Sequence, residues 1–266
     1  MENDKLKRLY TFGCSFTSYK WPTWADFIGQ SFDVYENWGA PGAGNYYIAS
    51  KVYECHQMNQ LTKNDTVLVM LSSFTRFDYI APNSEHIISG NIYSQNNIGK
   101  EFLSQYWSEE YGFHVTWFCL NSVINFLDKI GCKYKIMCGF DLARKELDYH
   151  IFEGFNKPML KHTNDFVVMN TPETNLKDYA EKKNSEESIQ YYCFDDLGTD
   201  THPTIQMHHD WIKDELPFLY KEEMSDYLKK WEALIDKDPK VTENNFNSII
   251  SNSKQITDFK KIPDNE

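Results

Sequence analysis

Apolar positions along the chain fall into two kinds of run. Short segments that read as buried strands recur at Leu9 to Gly13, Phe32 to Trp38, Thr66 to Leu71, Lys133 to Gly139 and Ile189 to Phe194, the second weaker than the rest and the third a continuous run of β-formers. The third follows a turn signal, Lys63-Asn64-Asp65. Between them lie stretches with helical spacing: Trp24 to Ser31, Asn45 to Leu61, and a long one from Glu101 to Ile130. In the last, Trp117, Leu120, Ile124 and Leu127 form a single apolar stripe. Two more helices are expected, one from Pro203 to Leu219 and one after Pro217 to Lys237.

Strands that alternate with helices imply parallel pairing through right-handed crossovers. The predicted fold class is therefore α/β, a three-layer α/β/α sandwich around a five-stranded parallel sheet. Ligands of such sheets gather at the carboxyl ends of the strands. Two regions break the alternation. Residues 77–100 are polar and Asn-rich and read as a long loop over the strand ends. Residues 141–188 read as an insertion of short helices and loop, a candidate lid. The main domain is expected over 1–221, with a C-terminal helix and polar tail over 222–266.

Composition narrows the function classes. At 266 residues, one large domain with insertions is expected. Hydrophobic residues at 41% and aromatics at 16% are ample for a core. A net charge of -12 argues against nucleic acid or an anionic membrane as the main partner. No apolar run reaches the ~20 residues of a membrane span, and the start, MENDKLKRLY, shows no secretory pattern, so a cytoplasmic protein is expected. The six cysteines form no CxxC pair and read as reduced, buried thiols.

The candidate chemistry sits at the two ends of the sheet-forming region. Gly13 closes the first strand, and Ser15 follows it near free backbone N–H groups that can hold an oxyanion. By itself Ser15 reads first as a helix cap. Far along the chain, Asp200-Thr201-His202-Pro203 places an acid two residues before a loop histidine, where it can fix the imidazole tautomer. A parallel sheet brings both ends to one edge and supplies nucleophile, orienter and base in the order Ser, Asp, His. Cys14 is a competing nucleophile. His208-His209 reads as packing under a helix, with no metal site expected. Arg76 can bind a substrate carboxylate or phosphate, or pair with Asp78. Trp21, Trp24, Trp38, Tyr46 and Tyr47 suit either stacking on a sugar or acyl chain, or plain core packing.

These blocks resemble those of the SGNH (GDSL-type) hydrolases. Gly13-Cys14-Ser15-Phe16-Thr17 is similar to the family's first block. Asn37-Trp38-Gly39-Ala40-Pro41-Gly42 is similar to the second, and Asp200-Thr201-His202-Pro203 to the fifth. The resemblance spans roughly residues 5–220 and implies a flavodoxin-like fold and a serine esterase without metal or organic cofactor. It implies Ser15 as nucleophile, His202 as base and Asp200 as orienter, with backbone donors at Ser15 and Gly42. Its substrate would be a small-molecule or carbohydrate ester, and an O-acyltransferase or a catalytically silent binding module would share the same blocks. Departures are visible. Cys14 replaces the first-block Asp, and Ser72-Ser73-Phe74-Thr75 stands where the third block carries an Asn. Ser73 and Asn45 are the first candidates to replace that amide, and Thr75 and Arg76 the next, both also candidate substrate contacts. Asp196 is an alternative orienter.

Overall fold

The computed structural model describes residues 6–80, 87–91, 100–140, 142, 175–186, 189–194 and 198–237. Strands β1 (Arg8–Phe12), β2 (Val34–Asn37), β3 (Thr66–Leu71) and β6 (Lys133–Cys138) form a parallel sheet in the order β2-β1-β3-β6. Counting only these four, the order is 2-1-3-4, the flavodoxin-like pattern whose ligand edge lies beyond the carboxyl ends of β1 and β3. Helices α2 (Asn45–Asn59) and α4 (Glu109–Ile130) pack together as one layer. The other layer holds α1 (Trp24–Gly29), α6 (Ile205–Glu215) and α7 (Glu223–Lys237). The predicted α/β class and its flanking helices are thus present.

The differences have local causes. Ile189 to Phe194 was expected as the fifth parallel strand. Instead β7 (Cys193–Phe194) pairs antiparallel with β8 (Gly198–Thr199). The Tyr192 carbonyl accepts the Asp200 N–H at 2.9 Å, so this segment satisfies its backbone within its own hairpin. The polar loop expected from residue 77 contains a second hairpin, β4 (Arg76–Ile80) with β5 (Ile87–Asn91). Its β-formers Tyr79 and Ile80 pair with Ile88 and Ile87 in an Asn-rich setting that hides the signal. The long helix expected from Glu101 is two helices, α3 (Lys100–Tyr106) and α4. Ser108, with φ −140°, breaks the run and caps α4 by accepting the Tyr111 N–H at 3.1 Å.

Within the candidate lid, α5 (Leu176–Ser185) buries Leu176, Tyr179 and Ala180 and holds α6 through the Tyr179 hydroxyl on Asp214 Oδ2 at 2.6 Å. Residues 141 and 143–174 lie outside the described set. Helix α7 belongs to the core: Trp231 is 1% exposed, and Tyr227 meets Phe27 of α1 edge-on at 5.3 Å. Cys14, Cys55, Cys119, Cys132 and Cys138 are buried thiols that form no disulfide.

Gly112 lets α4 approach the site. A Cβ there would land on the Phe74 carbonyl oxygen. Replacing a helical glycine by alanine gains about 1 kcal/mol of propensity, while overpacking costs about 1–3 kcal/mol. The clash wins, so Gly112→Ala is expected to lower the denaturation midpoint, a shift a urea titration reads directly.

Candidate active site

β1 ends at Phe12 and the chain turns at once. The Cys14 carbonyl accepts the N–H groups of Thr17 (2.9 Å) and Ser18 (3.1 Å), which makes the turn tight. Gly13 is required there, because a Cβ would meet the Thr17 hydroxyl. Helix α1 begins only at Trp24, so Ser15 caps no helix. Its hydroxyl oxygen lies instead 3.0 Å from Nε2 of His202, 187 positions along the chain. Cys14, the rival nucleophile, is 0% exposed and points into the core.

His202 reaches that point through a chain of ties. The β7–β8 hairpin delivers Asp200, whose Oδ1 accepts the His202 backbone N–H at 3.1 Å and lies 2.8 Å from Nδ1. The Trp21 indole N–H donates to the Pro203 carbonyl at 2.9 Å, buried between the two ends of the chain. The Tyr19 ring stacks on the imidazole at 3.9 Å, and Phe16 closes on its edge at 5.9 Å. The other Asp200 oxygen, Oδ2, accepts from the Tyr19 hydroxyl at 2.9 Å and from Lys20 Nζ at 3.2 Å.

Burial opposes the charge on Asp200, but hydrogen bonds from the ring and backbone of His202 outweigh it and hold the carboxyl well below its ordinary range. With Asp200 ionised, Nδ1 carries the imidazole proton and Nε2 is left to accept from Ser15. The sign for stability follows. A lowered carboxyl stabilises the fold above its unfolded value of about 3.9, and that contribution is lost as pH falls below it. Burial, then the Asp200 charge, pushes the Tyr19 hydroxyl far above the usual phenol, so it remains a donor.

Tyr19 and Lys20 were not anticipated. A tyrosine and a lysine in a turn carry no local signal, since their partner lies 180 positions away. Asp196 lies outside the described residues.

Gly42 sits in a turn from Ala40 to Ala43, closed by the Ala43 N–H on the Ala40 carbonyl at 3.1 Å. Pro41 sets the second position and Gly42, with φ +82°, takes the third, as a type II turn demands. The Ala40 N–H donates to the Gly13 carbonyl at 3.0 Å, which pins this turn beside that of Ser15. The backbone N–H groups of Ser15 and Gly42 donate to no acceptor among the described residues.

The expected substitutes for the third-block amide fare differently. Asn45 is not a spare donor. Its amide nitrogen donates to the Ser72 carbonyl (2.8 Å) and Thr116 Oγ1 (2.9 Å), and its oxygen accepts the Ser72 N–H (2.8 Å). It fixes the end of β3 and has no proton left for an oxyanion. Ser73 Oγ lies 2.8 Å from Thr75 Oγ1 and accepts the Thr75 N–H at 3.2 Å, so its proton is available only when Thr75 is the donor of that pair. Phe74 is 4% exposed and belongs to the core, packed under Gly112.

The expected pairing of Arg76 with Asp78 is absent. Asp78 caps α2 instead, where Gly44 has no side chain to do so, accepting the Gly44 and Tyr47 N–H groups, each at 2.9 Å. Of the aromatics at the expected mouth, Trp21, Trp24 and Trp38 are core residues and Tyr46 is 43% exposed. His209 lies between Asp210 and Ser225, at 2.8 and 3.2 Å, in the packing of α6 on α7.

No family model matches the chain. No curated protein matches it either. Solved structures do. An acetylxylan esterase from Geobacillus stearothermophilus, crystallised as a catalytic mutant, is 12% identical with a TM-score of 0.42, over 84% of this chain and 98% of that one. A GDSL-like lipase from Bacteroides thetaiotaomicron is 13% identical with a TM-score of 0.35, over 80% and 86%. A member of the lipolytic G-D-S-L family from Veillonella parvula is 14% identical with a TM-score of 0.36, over 79% and 97%. Among the described residues, no helix is long and apolar enough to cross a membrane.

Proposed function

We propose that the chain is a serine esterase of SGNH type that cleaves a small acyl ester, with a carbohydrate as the alcohol. The observation that carries this is the continuous relay from Asp200 through His202 to Ser15, at 2.8 and 3.0 Å. In the first half-reaction, Nε2 of His202 takes the Ser15 proton as Oγ attacks the carbonyl carbon. The tetrahedral oxyanion rests on the N–H groups of Ser15 and Gly42. Collapse expels the alcohol, which takes the proton from His202, and leaves an acyl-serine. Water, deprotonated by His202, then releases the acid and restores Ser15.

A catalytically silent binding module is the second reading, favoured by one observation: Asn45 is spent on Ser72 and Thr116. Loss of one oxyanion donor typically costs ~10²–10³ in turnover, which slows an enzyme of this kind without silencing it. Hydrolysis of p-nitrophenyl acetate separates the two. The esterase reading expects Ser15→Ala to lower kcat by about 10⁴-fold or more. A rate equal in wild type and variant would remove it.

A further inference from the structure

A cavity of about 440 Å³ opens between the first turn of α2, β4 and the N-terminal half of α4. That volume lies within the ~300–1,000 Å³ of small-molecule sites. Among the described residues, its walls carry the aromatic rings of Tyr46, Phe77, Tyr111 and Phe118, the Arg76 guanidinium and the His114 imidazole. Tyr46 is 43% and Phe118 72% exposed, so aromatic surface is offered to solvent here. Asn45 lines the same cavity and grips both backbone groups of Ser72, at the carboxyl end of β3. β3 pairs in parallel with β1, whose end leads into the Ser15 turn, so Asn45 joins the cavity to the same carboxyl edge of the sheet.

Arg76 is the informative wall. In a chain with 39 acids against 27 lysines and arginines, its guanidinium makes no hydrogen bond or ion pair with any described residue. Asp78, two residues on along the same strand face, also lines the cavity. Both its oxygens accept from the first turn of α2, and the positive end of that helix offsets its charge. A half-buried guanidinium keeps a planar fork of donors that fits a carboxylate or phosphate. The surrounding rings present flat apolar faces to whatever carries that anion.

We propose that this cleft binds a saccharide bearing an anionic group, a carboxylate or a phosphate, held by Arg76 with the sugar ring against the aromatic walls. Resting on the esterase reading, this saccharide is the part of the substrate that lies beyond the scissile ester.

Calorimetry on the full chain tests it with three probes: methyl glucuronide for the carboxylate, glucose 6-phosphate for the phosphate, and methyl glucoside as the neutral sugar. At least one acidic sugar is expected to bind about 10- to 100-fold more tightly than methyl glucoside, the range of a charge-assisted hydrogen bond. Arg76→Gln brings that ratio close to one, and Arg76→Lys leaves an intermediate value. Whichever acidic sugar shows the larger ratio names the anion. Acidic sugars that bind no better than methyl glucoside overturn the proposal, as does a ratio that survives Arg76→Gln. The same titrations on Ser15→Ala separate this from the esterase reading. A Ser15 without turnover alongside intact, Arg76-dependent discrimination sinks the esterase and leaves the cleft assignment standing.

Discussion

Replacing His202 with alanine is expected to lower kcat on an activated ester by about 10⁴-fold or more. The size follows from what the ring does. It is the hydrogen-bond partner of the Ser15 hydroxyl at 3.0 Å, and without it the nucleophile keeps its proton. The Tyr19 ring now stacked at 3.9 Å would border an empty space and cannot act as a base. On the proposed mechanism Ser15 and His202 act as one unit, so Ser15→Ala and the double variant should be about as slow as His202→Ala alone. Steady-state kinetics on the three proteins checks this. Additive losses would mean that the two residues do not work together.

Asp200→Asn is expected to cost about 10³–10⁴ in kcat, for a reason particular to this site. The asparagine amide must face His202 on one side and the Lys20 ammonium on the other. Lys20 and the Tyr19 hydroxyl are both donors and together outweigh the single His202 backbone N–H on the other side, so the amide oxygen turns to them and the amide nitrogen turns to Nδ1 of His202. Nδ1 then accepts, the ring proton moves to Nε2, and the base can no longer take the Ser15 proton. Adding Lys20→Met removes the stronger claim on the amide oxygen. The double variant should regain about tenfold over Asp200→Asn, a coupling within the ~0.5–3 kcal/mol seen for residues in contact. Equal rates for the single and double variants would show that Lys20 does not orient the amide.

Much of this arrangement was legible because its parts are local in sequence. Gly13 and Ser15 lie in one turn, Pro41 and Gly42 spell a type II turn, and Asp200 and His202 are two residues apart. Strand β3 was legible as an apolar run, and β1 and β6 as segments rich in β-formers that become buried toward their carboxyl ends. What escaped notice depends on partners distant in the chain. Tyr19 and Lys20 acquire meaning only when Asp200 arrives, and Asn45 only when Ser72 and Thr116 surround it. The fifth-strand expectation failed because a tyrosine-rich run can pack on Trp21 without joining the parallel sheet; Tyr192 meets that indole edge-on at 4.8 Å. The unusual third block has a packing origin. Phe74 fills the core beneath a helix that only Gly112 lets approach, and the position is committed to structure.

Covalent labelling measures whether Ser15 is an activated nucleophile. The folded protein is treated with a fluorophosphonate, digested, and the peptide that carries Ser15 is weighed. The relay of Asp200, His202 and Ser15 predicts one adduct, on Ser15, lost in His202→Ala. An unmodified Ser15 in the wild type, or an adduct that forms equally well without His202, would contradict it.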